Sequence, residues 1–314
     1  MAGIVVGIVV GVLLTVFFVL TYYAYRLTFY AAPRKGDEDQ YLIPTEEQYR
    51  KDAEKLRQCI SRLDSMEYEP VTIESFDGRK LFGRYYHAQE GAPLQIQFHG
   101  YRGSALRDLC GGTPLALKLG HNVLLVDQRA HGRSDGTTIT FGVLERKDCL
   151  EWIRYAQQRF GTEIPIVLTG VSMGAATVLM AADLELPSAV KAVVADCPFS
   201  APREIIARVA ENMGLPGKQA ATVCALGGAI FGGFRLGSSS AVEAVRKSHL
   251  PILLIHGEDD HYVPCEMSRK IYDACSAEKR LETFPHAAHA MCYMEDPVRY
   301  ETVITDFLQT HLCA

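Results

Sequence analysis

Ile164-Pro165-Ile166-Val167-Leu168-Thr169-Gly170-Val171-Ser172-Met173-Gly174-Ala175-Ala176 is the stretch that decides the fold. Ile164 to Leu168 is a short apolar run that reads as a buried strand, and Ala175 to Leu184 reads as a helix. Between them stands G-x-S-x-G. Its glycines permit a sharp, strained turn and let strand and helix pack closely, which lifts the Ser172 hydroxyl clear of the sheet. The pattern alone is common. Set between a buried strand and a helix, it specifies a nucleophile.

Outward from this stretch the same rhythm repeats. Val71 to Phe76 and Leu81 to His87 flank Asp77-Gly78 and read as a hairpin. Leu94 to Phe98, Val123 to Val126, Val190 to Ala195 and Ile252 to Ile255 are further short apolar runs of strand length, and Leu281 to Phe284 reads as a further short strand. Unbroken apolar strands separated by helical stretches imply a mostly parallel, twisted sheet covered by helices on both faces, an α/β class. Reactive groups in such sheets belong in the loops at the carboxyl ends of strands.

A serine hydroxyl is a weak nucleophile at neutral pH and needs a base, itself oriented by a carboxylate. Asp260 follows the strand Ile252 to Ile255, and His289 follows the strand Leu281 to Phe284. Ser172, Asp260 and His289 therefore occur in the chain order Ser, Asp, His, each just after a strand. Asp196, which ends a strand, is the alternative acid, and Asp259 and His286 are near neighbours of the preferred pair. His131 and Asp135 read as braces of their loop. No His/Cys/Asp/Glu spacing suggests a metal, and no glycine-rich phosphate loop is present, so no cofactor is expected.

Four motifs in order carry a resemblance to a known family. They are His99-Gly100-Tyr101, Asp127-Gln128-Arg129-Ala130-His131-Gly132-Arg133-Ser134, the Ser172 elbow, and G-x-x-D-x-x-V-P from Gly257 to Pro264. With them the chain, from about residue 70 to 312, resembles the α/β-hydrolase superfamily, in particular its bacterial esterase/lipase-like and serine-aminopeptidase-like branch. The resemblance implies the α/β-hydrolase fold, places the acid at Asp260, and puts the terminal histidine at His289 before a last helix, Tyr300 to Leu312. It also implies an oxyanion hole made by the backbone N–H groups of Met173 and Tyr101. A cap insert over the active site is expected at about residues 200–249. The activity implied is hydrolysis of carboxylic esters or thioesters through an acyl-enzyme. An amidase or peptidase with the same triad, or a non-catalytic binding protein on this fold, are the alternatives. Serine at the elbow disfavours a dehalogenase.

The N-terminus adds a second feature. Ala2 to Tyr25 is uncharged and rich in Val, Ile, Leu and Phe, and as a helix it reaches ~36 Å, enough for a ~30 Å hydrocarbon core. With no Lys or Arg before it and Tyr22, Tyr23 and Tyr25 at its end, it reads as a retained transmembrane helix at residues 1–25 rather than a secretory leader. Arg26, Arg34 and Lys35 follow it closely and place the remainder in the cytoplasm by the positive-inside rule. Gly3, Gly7 and Gly11 form a small-residue stripe that suits a homodimer of such helices. Residues 26–44 read as a linker before the hydrolase domain, 45–314. Within that domain Thr45 and Gln48 make a capping box, and Tyr49, Ala53, Leu56, Ile60 and Leu63 make one amphipathic helix.

Composition agrees with this outline. The chain has 314 residues, 48% of them hydrophobic, enough for a sizeable core. Lys plus Arg number 32 against 37 Asp plus Glu, a net charge of -5, which offers no footprint for nucleic acid. The nine cysteines are scattered without a C-x-x-C pair, which argues against a zinc site and for reduced thiols.

Overall fold

The computed structural model describes residues 1–32, 41, 43 and 47–312. A long helix opens the chain, α1 (Ala2–Thr28), followed by α2 (Glu47–Arg50) and α3 (Ala53–Asp64). The hydrolase body begins with β1 (Glu69–Glu74), β2 (Lys80–Tyr86), β3 (Leu94–Phe98), α4 (Ala105–Asp108), α5 (Gly112–Lys118) and β4 (Asn122–Val126). It continues through α6 (Glu145–Phe160), β5 (Ile166–Val171), α7 (Met173–Ala181) and β6 (Val190–Asp196). Next come α8 (Pro202–Asn212), α9 (Gly217–Phe231), α10 (Ala241–Val245) and β7 (Ile252–Gly257). The chain closes with α11 (Glu266–Ala274), β8 (Lys279–Phe284), α12 (Cys292–Glu295) and α13 (Pro297–Leu312).

The eight strands form one sheet in the order β1-β2-β4-β3-β5-β6-β7-β8. The β1–β2 and β2–β4 pairs are antiparallel, and every later pair is parallel. Strand periodicity divides the core into two layers. Ile166, Leu168, Val193 and Leu254 face α6, α7 and α10, with Trp152 buried among them. Val167, Val194, Leu253 and Ile255 face α13, through Val303, Ile304 and Phe307. Parallel strands covered on both faces place every strand end from β3 to β8 at one edge, and the loops there carry Ser172, Asp260 and His289.

Three sequence expectations change. The first helix runs to Thr28, three residues further than expected, and the chain after it is not a free linker. Tyr30 bridges Thr138, Ala31 N–H donates to Thr137 O (2.9 Å), and Ile139 N–H donates to Phe29 O (2.8 Å). The rest of the expected linker (33–40, 42 and 44) and Thr45 of the capping box lie outside the described residues. Second, the amphipathic helix is two helices, α2 and α3, broken at Lys51-Asp52. Asp52 is buried as the N-cap of α3 and accepts from Lys55 Nζ (3.0 Å). Third, the cap is shorter than 200–249. Only α8 and α9 stand over the site, whereas Ala241 and Val245 of α10 belong to the sheet core.

The last turns of α1 are docked on the cap. Thr21 and Tyr25 are buried, and Phe29 is fully buried against Phe141 and Phe234 in edge-on contacts of 5.8 and 5.1 Å. A side chain of that size contributes about 1.5–3 kcal/mol when removed from water. At Gly227 of α9 a Cβ would lie 2.4 Å from the Thr21 carbonyl oxygen, so the two helix backbones touch only because this residue is glycine. By contrast, Gly3, Gly7 and Gly11 meet nothing within 4 Å. Gly227→Val should therefore cost about 1–3 kcal/mol and lower Tm by several degrees in detergent. Ala229→Val, on the exposed side of the same helix, should move Tm by less than ~2 °C. Equal shifts for the two would refute the close α1–α9 contact.

Candidate active site

The elbow forms because two glycines allow approaches that no other residue permits. A Cβ on Gly170 would lie 2.3 Å from the Gly174 carbonyl carbon, and one on Gly174 would lie 2.1 Å from Phe98 O. Strand β5, helix α7 and the end of β3 are thereby pressed together. Ser172 sits at the turn with φ 54° and ψ −114°, a strained conformation for a residue with a side chain. Its N–H donates to Asp196 O (2.8 Å) and its carbonyl accepts from Ala176 N–H (3.0 Å), which pins the β5–α7 turn against the end of β6.

The structure brings Ser172, His289 and Asp260 together from three strand ends. His289 Nε2 is 2.9 Å from Ser172 Oγ, and His289 Nδ1 is 2.6 Å from Asp260 Oδ2. The other oxygen, Asp260 Oδ1, accepts from the N–H groups of Tyr262 (2.9 Å) and Val263 (2.8 Å). That is what the G-x-x-D-x-x-V-P loop accomplishes: it wraps its own backbone donors around the carboxylate. Behind it His256 Nε2 lies 3.3 Å from Asp260 Oδ2, while His256 also bonds Val263 O (2.8 Å) and Ser268 Oγ (2.6 Å).

Electrostatics follow from these contacts. Burial works to raise the Asp260 pKa, but the neighbouring His289 charge and the bonds from His256 and His289 outweigh it and hold the carboxyl well below the usual range. For His289 burial acts downward, and the charge and hydrogen bond of Asp260 overcome it, leaving the imidazole above its ordinary value. Asp196 goes the other way. Burial pushes it up to about 6 against the hydrogen bond from Tyr300, whose hydroxyl donates to Asp196 Oδ2 (2.9 Å). Asp196 thus bonds Tyr300, not the histidine. Asp259 and His286 are exposed and face each other at 3.7 Å, away from Ser172.

The loop after β3 lies over the serine: a Cβ on Gly100 would be 3.2 Å from Ser172 Cβ. Gly100 N–H donates to Asp108 Oδ2 (2.8 Å), and Arg107 Nε holds the other oxygen of that carboxylate (2.6 Å). Arg102 N–H donates to His131 Nε2 (3.0 Å), and Gln128 N–H to His99 Nε2 (3.1 Å). His131 is therefore a brace, as is Asp135, which accepts from Lys80 N–H (3.0 Å). Met173 opens α7, where the first N–H groups have no partner within the helix. Tyr101 belongs to the loop that lies over the serine, next to Gly100, and lines the same cavity as Ser172.

Sequence reasoning missed what holds this loop from the other side. Tyr101 Oη donates to Thr28 O (2.8 Å), and Arg102 Nη2 donates to Leu27 O (2.9 Å) and Tyr30 O (3.1 Å). The carbonyls left over at the end of α1 are capped by the very loop that covers Ser172. Nothing local in either segment signals this pairing. Ser172 and His289 open into a cavity of about 890 Å³ whose walls include Leu20, Ala24 and Leu27 of α1 with Ile206, Val209 and Val223 of the cap. The volume suits an organic substrate of moderate to large size.

One group of potential metal ligands occurs here among the described residues, Cys197, Asp260 and His289, with ligand atoms within 4.8 Å of one another. Burial and the neighbouring carboxylates hold the Cys197 thiol well above its usual pKa, in the protonated form that ligates poorly. His289 Nδ1 and Asp260 Oδ2 are already joined to each other.

Fold and site together define a hydrolase on an α/β sheet, and comparison with known proteins agrees. Residues 96–219 match the family model described as alpha/beta hydrolase fold, and residues 229–296 match the model for serine aminopeptidase, S33. The chain is 30% identical over 247 residues to the uncharacterized protein YqkD of Bacillus subtilis, covering 78% of this chain and 80% of that one. It is 26% identical over 251 residues to protein bem46 of Schizosaccharomyces pombe, covering 78% and 77%. Among solved structures it is similar to the Pyrococcus furiosus esterase Pf2001, at TM-score 0.63 and 24% identity over 80% of this chain and 95% of that one. Est1E of Butyrivibrio proteoclasticus, solved with ferulic acid, aligns at TM-score 0.60 and 22% identity over 78% and 100%. The chain belongs to the α/β hydrolase family.

The geometry makes a prediction that needs no substrate. In a histidine NMR titration His289 should titrate above the ~6.5 of a free imidazole, and Asp260→Asn should bring it down by removing the negative charge that raises it. A His289 pKa indifferent to Asp260→Asn would break the assigned pairing.

Proposed function

We propose that this protein is a membrane-anchored serine hydrolase that cleaves carboxylic esters or thioesters through an acyl-enzyme. The observation that carries the reading is the continuous relay from Asp260 through His289 to Ser172, at 2.6 and 2.9 Å, opening into a cavity. His289 Nε2 takes the hydroxyl proton as Ser172 Oγ bonds the acyl carbon, while Asp260 stabilises the imidazolium that results. The developing oxyanion accepts from the N–H groups of Met173 and Tyr101. Collapse breaks the bond to the leaving alcohol or thiol, which takes the proton from His289. Water repeats the sequence, releasing the acid and restoring Ser172.

An aminopeptidase would additionally need a carboxylate for the free amino group of its substrate. Of the two aspartates in the cavity wall, Asp108 is paired with Arg107, Asp196 is buried with one oxygen on the Tyr300 hydroxyl and lifted toward its neutral form, and the cap side is apolar. This supports acyl esters over peptides.

In this reading α1 is retained as an anchor. Its docking on α9 and on the loop at Tyr101 supports retention, because removal of a leader here would strip a wall from the cavity. Arg26, Arg34 and Lys35 favour a cytoplasmic hydrolase domain.

Ser172→Ala should abolish labelling by a fluorophosphonate probe and reduce kcat on the order of 10⁴-fold or more, with Asp260→Asn costing ~10³–10⁴-fold. Persistent labelling of Ser172→Ala would exclude Ser172 as nucleophile. Because the base acts in its neutral form and His289 is raised, kcat/KM should climb with pH through a midpoint above ~6.5. A flat profile from about pH 5 to 8 would contradict a histidine base. The full chain should stay in membranes through carbonate and salt washes, and protease added to intact cells should leave the hydrolase domain uncut. Digestion from outside would reverse the orientation.

A further inference from the structure

We infer that the acyl chain of the substrate reaches Ser172 from within the bilayer, passing between α1 and the cap, so that the substrate class is a membrane-resident lipid with a long acyl chain. This rests on the serine hydrolase reading above and on α1 spanning a membrane.

The argument begins with helix faces. Leu20, Tyr23, Ala24, Leu27 and Thr28 line the cavity, and their spacing of i, i+3, i+4, i+7, i+8 is one face of a helix. The adjoining face, Thr21 and Tyr25, is the one buried on α9. The end of α1 is therefore a wall of the active-site cavity and not a tether beside it. Leu20 and Tyr23 are 55% and 63% exposed, so these cavity-lining side chains are far from enclosed and the cavity is open beside the helix.

The cap repeats this double exposure. Val209, Met213 and Leu215 line the cavity and are also exposed to the outside. Beside them Leu226, Ile230 and Phe231 of α9 face outward, and the Phe231 ring meets Tyr22 of α1 at 5.2 Å. An apolar patch of this kind on a water-soluble surface marks an interaction site. Here it is continuous with a 27-residue helix whose only charge is Arg26 in its last turn, which commits it to lipid.

Depth is set by the same helix. About 20 residues cross the hydrocarbon core, and Tyr22, Tyr23 and Arg26 mark the interface that follows. Leu20 and Tyr23 then stand at the boundary between acyl chains and headgroups, where an ester carbonyl of a bilayer lipid resides. A chain moving sideways past them stays in contact with apolar side chains until its carbonyl meets Ser172.

The test uses the full-length protein in dioleoylphosphatidylcholine vesicles, with p-nitrophenyl palmitate dissolved in the bilayer and p-nitrophenyl butyrate supplied from water. Ala24→Trp, which fills the gap at α1, should lower the palmitate-to-butyrate ratio of kcat/KM at least tenfold. Val19→Trp, at the same level but outside the cavity wall, should leave that ratio within twofold. If Ala24→Trp loses both activities alike, Leu27→Trp decides by the same ratio. An unchanged ratio in the α1 variants, with the wild type active on butyrate, overturns access from the bilayer alone. A wild type inactive on both esters overturns the serine hydrolase reading and this inference with it.

Discussion

Between Gly174 and the carbonyl of Phe98 there is no space for a methyl group, and that contact organises the candidate active site. It presses the start of α7 against the carboxyl end of β3. The loop at Gly100 is thereby brought over Ser172. The serine accepts a strained φ of 54° because the packing on both sides leaves it no alternative. Once α7 is fixed, the ends of β6, β7 and β8 fall in line through parallel pairing, and the acid and base arrive on loops of fixed reach.

Two buried carboxylates at neighbouring strand ends then acquire opposite characters. Asp260 is wrapped by two backbone donors and two imidazoles and is held ionised. Asp196, one strand away, has a single hydroxyl partner, and burial lifts it to about 6. Environments of this kind drive two similar groups apart in proton affinity within one site. The G-x-x-D-x-x-V-P loop supplies the difference, because its turn returns the N–H groups of Tyr262 and Val263 to the side chain.

The parts of this design that are local in sequence were legible there. The strand–elbow–helix around Ser172 is encoded by neighbouring glycines, and the Asp260 loop by residues within four positions. Strand limits were less legible: β5 extends to Val171 through Thr169 and Gly170, which are buried without being strongly apolar. The break at Asp52 was hidden because the apolar spacing of Tyr49 to Leu63 continues across it. The docking of α1 was not readable at all. It joins Thr21 to Gly227 and Thr28 to Tyr101, contacts between distant parts of the chain that leave no periodic trace. Gly227 stood in an uncharged, glycine-rich stretch, but nothing in that stretch named its partner.

The bridge between Tyr30 and Thr138, with the hydrogen bonds on either side of it, removes the swivel that would otherwise join the first helix to the domain. Helix and domain turn as one body. If α1 spans a membrane, the domain's tilt and height are inherited from the helix, and its search for a substrate held in that membrane becomes two-dimensional. Encounter frequency follows the surface density of substrate and lateral diffusion, and the volume concentration of the surrounding solution drops out of the rate. Bilayer thickness, by tilting such a helix, would then reach the loop over Ser172 mechanically.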